Sequence, residues 1–175
     1  MIKRLLILVA ISVMITSCGS SKQVTTSTRN IKTTRTRTVA TPKTVNEVTV
    51  ADKIVWTAVT YKGVPYRYGG TSMSGMDCSG LIHTSFTERD VDIPRTSRQM
   101  YYEGYPISLK EVQRGDLLFF KTSYKSGKIN HVGLVTSADD GDIRFIHSTT
   151  SRGVIVTSLD EPYWKKAFVK AKRVL

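Results

Sequence analysis

Cysteine and histidine are scarce in this 175-residue chain, which holds two of the first and three of the second. Neither a CxxC nor an HxxxH pair occurs, so the ligand spacing of a structural zinc site is missing. Gly69-Gly70 lacks a GxGxxG or P-loop context, and with it goes the phosphate-cradling loop of nucleotide-binding proteins. The apolar run at residues 5–15, broken only by Ser12, is shorter than the roughly 20 residues a membrane-spanning helix needs. There is no internal repeat. The length suits one domain of ordinary size.

Acidic residues are absent from residues 1–46, which carry eight of the 26 lysines and arginines. The other 18 bases meet all 14 acids in residues 47–175, a net of +4, so most of the formal charge of +12 belongs to a tail. Residues 1–17 read as a secretory signal, with Lys3 and Arg4 ahead of the apolar run. The stretch ITSCG at residues 15–19 resembles the lipobox of bacterial lipoproteins. That resemblance implies cleavage before Cys18 and a diacylglyceryl group on its thiol. Several acyl chains then anchor the protein, at about 0.8 kcal/mol per buried methylene. Gly19 in place of aspartate points to the outer membrane, facing the periplasm. Residues 18–46 are the lipidated cysteine and a basic, Thr/Ser-rich tether without aromatics, too polar to build a core. As a coil the tether spans about 30 Å on average, and at full stretch about 95 Å. Positive charge on an exported tail is no sign of nucleic-acid binding, and none is expected.

Residues 47–175 read as the folded domain. Val50, Ile54, Ala58 and Tyr61, with Trp56 nearby, predict a helix ending near Gly63. KGVPYRYGGTSMSGMD reads as a loop. SGLIHTSFTERD, after Cys78, sets Leu81, Ile82, Ser85 and Phe86 on one helical side, with Asp77 placed as its cap. The remainder is β-rich: LLFF, HVGLVTS, the turn ADDGD, IRFIHSTT, GVIVTSL and AFVKAKRVL describe an antiparallel meander. Helices first and strands later give an α+β class.

Exported proteins usually pair their cysteines. With Cys18 acylated, Cys78 has no partner in the chain, and a lone thiol is either a small buried apolar group or a nucleophile. A nucleophilic thiol must ionise below its usual pKa of about 8.5, and a helix start or a nearby imidazole can achieve that. His83, five residues on, points to another helix face and reads as structural. His131 opens one strand and His147 closes the next, so an antiparallel hairpin brings them to the same end. There they can act as base and base-orienting group.

DCSG at 77–80, PYRYGG at 65–70, PRTSRQ at 94–99, RGDLLFF at 114–120 and HVGLV at 131–135 together resemble the NlpC family of cell-wall cysteine peptidases. The resemblance covers about residues 50–175 and keeps the motif order. It implies a papain-like fold, the nucleophile helix packed on an antiparallel sheet, with Cys78 as nucleophile and His131 as general base. His147 takes a third position where the family allows His, Asn or Gln. Tyr66 matches a tyrosine whose hydroxyl faces the site. Asp77 and Ser79 match positions that help bind the stem peptide, although a helix cap explains Asp77 equally. Arg95 is either a substrate contact or a structural ion pair. The Cys78 backbone N–H is the implied oxyanion donor.

The implied function is a monomeric peptidoglycan hydrolase without cofactor, cutting stem peptides between D-glutamate and the diamino acid, or the D-alanine to diamino-acid cross-link. A non-catalytic wall-binding lipoprotein is the alternative. A zinc site of Cys78, His131 and His147 is a third reading, on ligand type alone.

Overall fold

The computed structural model describes residues 47–123 and 127–175. The expected signal peptide, the Cys18 anchor and the tether lie outside the described residues. Helix α1 (Val50–Thr60) starts at a reciprocal cap: Asp52 N–H donates to Thr49 Oγ1, and Thr49 N–H donates to the Asp52 carboxylate. Ile54, Val55 and Ala58 are buried, whereas Val50 and Trp56 are exposed, so the inward stripe begins one turn later than the sequence period suggests.

The glycine-rich segment is more than a loop. It holds a two-stranded hairpin, β1 (Thr71–Ser72) and β2 (Gly75–Met76), with Tyr66 bridged to Met76. Helix α2 (Cys78–Thr87) follows at once, with Leu81, Ile82, Ser85 and Phe86 on its buried side. Close approach explains two glycines here. A Cβ on Gly80 would sit 2.0 Å from the Gly70 carbonyl oxygen, and one on Gly70 would sit 2.2 Å from that of Gly75.

After a short helix α3 (Ser97–Met100) come β3 (Tyr105–Ile107), β4 (Leu117–Phe120), β5 (His131–Asp139), β6 (Asp142–Thr149), β7 (Gly153–Ser158), helix α4 (Pro162–Ala167) and β8 (Phe168–Arg173). They form one antiparallel sheet in the order β3-β8-β4-β5-β6-β7. The expected meander therefore holds from β4 to β7, but β8 returns past it to pair with β4. Asp140 and Gly141 both take positive φ, the two-residue turn that matches strand twist.

LLFF is buried throughout because the sheet is covered on both faces. Leu117 and Phe119 join Ile54, Leu81, Ile82, Val132 and Leu134 beneath α1 and α2. Leu118 and Phe120 join Val135, Phe145, Trp164 and Ala171 on the other side. The RGD preceding LLFF is structural. Arg114 pairs with Asp52 at 3.0 Å, Gly115 at φ +94° passes close to Ala51, and buried Asp116 holds Arg173 of β8 at 2.8 Å. Among the described residues no helix is long and apolar enough to cross a membrane.

Alanine is the better helix former by about 1 kcal/mol, yet Gly80→Ala should lose stability, by about 1–3 kcal/mol, because backbone must move to admit the methyl. Urea unfolding measures this, and a stabilised variant would contradict the close packing of α2 on the hairpin.

Candidate active site

Asp77 caps α2 and collects five donors. Its Oδ1 accepts from Gly80 N–H at 2.6 Å, Ser79 Oγ at 3.2 Å and Arg95 Nη1 at 3.0 Å. Its Oδ2 accepts from Gly69 N–H at 2.8 Å and Arg95 Nη2 at 3.0 Å. Burial alone would raise its carboxyl, but the Arg95 guanidinium and the two amides hold it below the usual range. Arg95 also donates to Ser79 Oγ at 3.0 Å. The structure thus brings Asp77, Ser79 and Arg95 together as one bonded group and shows the Arg95 ion pair directly.

Cys78 is the first residue of the helix that Asp77 caps. The backbone amides of Val132, Ser79 and Cys78 itself favour the thiolate. Burial outweighs them, and with Asp77 adjacent the thiol is pushed up to about 11. This corrects the expectation of a thiol ionised well below 8.5: a helix start is legible in sequence, whereas the packing around the sulfur is not.

His131 and His147 lie on the sheet face opposite α2. With Leu134 opposite Ile146, they are diagonal neighbours across the β5–β6 pair. His131 Nε2 and His147 Nδ1 are 2.9 Å apart, and His147 Nε2 is 2.9 Å from Thr157 Oγ1 on β7. Trp164 of α4 stacks on His131, with ring centroids 5.1 Å apart, and meets His147 edge-on at 4.4 Å. Burial lowers His131 to about 4 and lowers His147 as well, helped by His131 and Arg152. Both rings are neutral at neutral pH. With Nε2 committed to His147, only Nδ1 of His131 remains to take a proton. The zinc reading gains nothing from this geometry, since the facing nitrogens are bonded to each other, and no metal-holding group occurs among the described residues.

Cys78 lines two cavities. One, about 440 Å³, is shared with His131, Trp164, Arg152 and Glu161. The other, about 760 Å³, is shared with Asp77, Ser79, Arg95 and Tyr68. Tyr66 and Asn130 line both, beside the thiol. Burial and the neighbouring Cys78 and Asp77 raise the Tyr66 phenol, so it stays a hydroxyl donor. His83 is elsewhere, its Nδ1 2.9 Å from the Ile93 carbonyl. Sequence reasoning missed Thr157, Trp164 and Asn130. Only Thr157 left a signal, as a polar residue in the apolar strand GVIVTS.

A family model described as NlpC/P60 family matches residues 63–173. The murein DD-endopeptidase MepS/murein LD-carboxypeptidase of Escherichia coli K12 is 37% identical over 132 residues, 75% of this chain and 66% of that protein. The chain therefore spans slightly under two thirds of that relative. A probable endopeptidase NlpC homolog of Haemophilus influenzae is 30% identical over 193 aligned positions covering the whole of both chains. Among solved structures, an NlpC/P60 family protein from Bacillus cereus is 33% identical with a TM-score of 0.64, over 71% of this chain and 40% of that one.

Neutral burial of the two imidazoles has a measurable effect on stability. Between the unperturbed 6.5 and about 4 the unfolded chain binds a proton at His131 that the folded chain refuses. The stability so contributed is complete above pH 6.5 and is lost as pH falls through that window. Each histidine should cost roughly 2 kcal/mol between pH 7 and pH 5. Urea unfolding at the two pH values checks this, and the loss should shrink in His147→Gln. Equal stability at both would contradict it.

Proposed function

The chain belongs to the NlpC/P60 family, and from that premise we propose that it is a cell-wall hydrolase, a cysteine endopeptidase acting on peptidoglycan stem peptides or cross-links. The observation that carries this reading is the meeting of Cys78, at the capped start of α2, with the His131–His147–Thr157 chain around one cleft.

His131 Nδ1 takes the Cys78 proton as sulfur attacks the carbonyl. For that nitrogen to be bare, His131 must carry its proton on Nε2 and donate it to His147 Nδ1. His147 then carries its own on Nε2 and donates to Thr157. The Cys78 N–H, at the helix start, faces the developing oxyanion, and the Tyr66 hydroxyl is a second donor. His131 returns the proton to the departing amine, and water attacking the thioester releases the acyl half. The thiol is neutral until substrate arrives, so His131 sets the acid limb of the rate: activity falls as pH drops toward about 4 and does not wait for thiol ionisation near 11.

Asp77, Ser79 and Arg95 are proposed to hold the stem peptide on the acyl side. The protein is proposed to be an exported monomer, its signal removed at residue 17 and its Cys18 acylated in the outer membrane. The tether would then let the domain reach the wall from the periplasmic side. The raised Cys78 thiol favours a second reading, a wall-binding lipoprotein that does no chemistry.

Mass analysis of purified muropeptides after incubation with residues 47–175 separates the two. New amine and carboxyl termini are expected, abolished in Cys78→Ala and His131→Ala, and unchanged muropeptides would favour the binding reading. Thr157→Val, which keeps the volume and removes the hydroxyl, should reduce kcat at least about tenfold. It should also reshape the pH profile, with Thr157→Ser restoring both, and an unaltered profile in Thr157→Val would remove the hydroxyl from the relay.

A further inference from the structure

His131 and His147 rest against three aromatic rings that also pack on one another. Phe120 and Phe145 are stacked with centroids 5.1 Å apart, and Trp164 meets them edge-on at 5.3 and 5.6 Å. Phe120 lies beside His131, at 5.9 Å, and Phe145 beside His147, at 4.6 Å. Trp164 is the ring of the three that meets both imidazoles, at 5.1 and 4.4 Å, so its indole spans the bond between them.

Trp164 differs from the other two rings in origin as well. Phe120 and Phe145 belong to the sheet, whereas Trp164 arrives from α4 and is the one ring of the three that lines the cavity beside Cys78. Only 5% of it is exposed, so the indole is a wall between that cavity and the buried imidazole bond. The wall is fastened at each end. Glu161 N–H donates to the Ser158 carbonyl at 3.3 Å ahead of Pro162. Lys121 N–H donates to the Ala167 carbonyl at 2.8 Å, which ties the end of α4 to the end of β4.

The imidazole bond does not by itself choose its direction. At 2.9 Å it can run from His131 Nε2 to His147 Nδ1 or the reverse. The reverse leaves the His131 proton on Nδ1, where none can then be accepted from the thiol. Water admitted beside the rings offers the nitrogens other partners and lowers the cost of charging either ring.

We propose that Trp164 is a positioning residue for the general base: it fixes the plane of the His131 ring and keeps cavity water off the His131–His147 bond, so that Nδ1 is offered bare to the thiol. It acts through His131, with no chemical step of its own, and it rests on the peptidase reading above. The surroundings give the effect a sign. Around the pair stand Cys78 from α2, Tyr66 from the glycine-rich segment, Arg152 from the β6–β7 turn, and Glu161 and Tyr163 at the start of α4. Burial holds His131 at about 4, and burial, with His131 and Arg152, lowers His147. Burial is what an indole supplies. Opening the wall therefore raises the base toward its unperturbed 6.5 and frees the tautomer together.

The test compares wild type, Trp164→Leu and Trp164→Phe in the full chain, by kcat/KM on muropeptides across the acid limb and by ring nitrogen-15 shifts. Wild type should lose kcat/KM as pH falls toward about 4. In Trp164→Leu that limb should move up by at least about one pH unit, with kcat at neutral pH down about tenfold and KM little changed. Its His131 ring should populate both tautomers, where wild type shows one. Trp164→Phe, flat but smaller, should move the limb the same way by less, and it decides the question if Trp164→Leu does not fold. Phe168→Leu is the control: Phe168 joins the same cluster and meets Phe120 at 6.1 Å, so it should cost stability and leave the limb in place. An unmoved limb and a single tautomer in both Trp164 variants would overturn the proposal, as would an equal shift in Phe168→Leu. A raised KM with kcat and the limb unchanged would make Trp164 a substrate contact and overturn it too. The nitrogen shifts need no turnover, so a wild type inert toward muropeptides would overturn the peptidase reading while the tautomers still decide for or against Trp164.

Discussion

A single hydrogen bond between two buried imidazoles, His131 Nε2 to His147 Nδ1 at 2.9 Å, constrains most of what surrounds it. Such a bond carries one proton. Two imidazolium rings would press two protons together in a site of low dielectric, and burial already disfavours either charge. Thr157 and Trp164 finish the arrangement, one at the far nitrogen of His147 and the other stacked on His131 and edge-on to His147. The strands must keep the register that makes residues 131 and 147 diagonal neighbours, so the fold of the β5–β6 pair and the protonation of the site are one constraint.

The thiol is placed from the other face of the sheet. Asp77 ties the start of α2 to the glycine-rich loop through Gly69, to its own first turn through Gly80, and to the segment before α3 through Arg95. Two independently built halves meet at the start of β5, where the Val132 amide favours the Cys78 thiolate and His131 is the adjacent residue. Two cavities flank that meeting, one lined by the Asp77 group and the other by His131.

Local chemistry was legible in the sequence. A helix cap needs only Asp77 and its next three residues, and the β5–β6 hairpin announces itself in Asp140-Gly141, whose positive φ values suit that turn. From these the helix that starts at Cys78 and the histidine pair follow. What the sequence concealed depends on distant partners. The return of β8 to β4 is set by Asp116 and Arg173, 57 residues apart. The β1–β2 hairpin, two residues per strand, is too short to show a period. Arg95 could not be divided between substrate and structure until its guanidinium was seen on Asp77. The direction of the Cys78 shift was misread because helix-start electrostatics are local and burial is not.

Neutrality at rest is the central point: a partly buried neutral thiol and two buried neutral rings, with one direction for proton flow in the proposed reaction. Nitrogen-15 chemical shifts of the His131 and His147 rings in the labelled domain at neutral pH report it directly. Each ring should show one bare and one protonated nitrogen, the protonated one being Nε2 in both. A ring protonated at both nitrogens, the imidazolium of a preformed ion pair with Cys78, would contradict it.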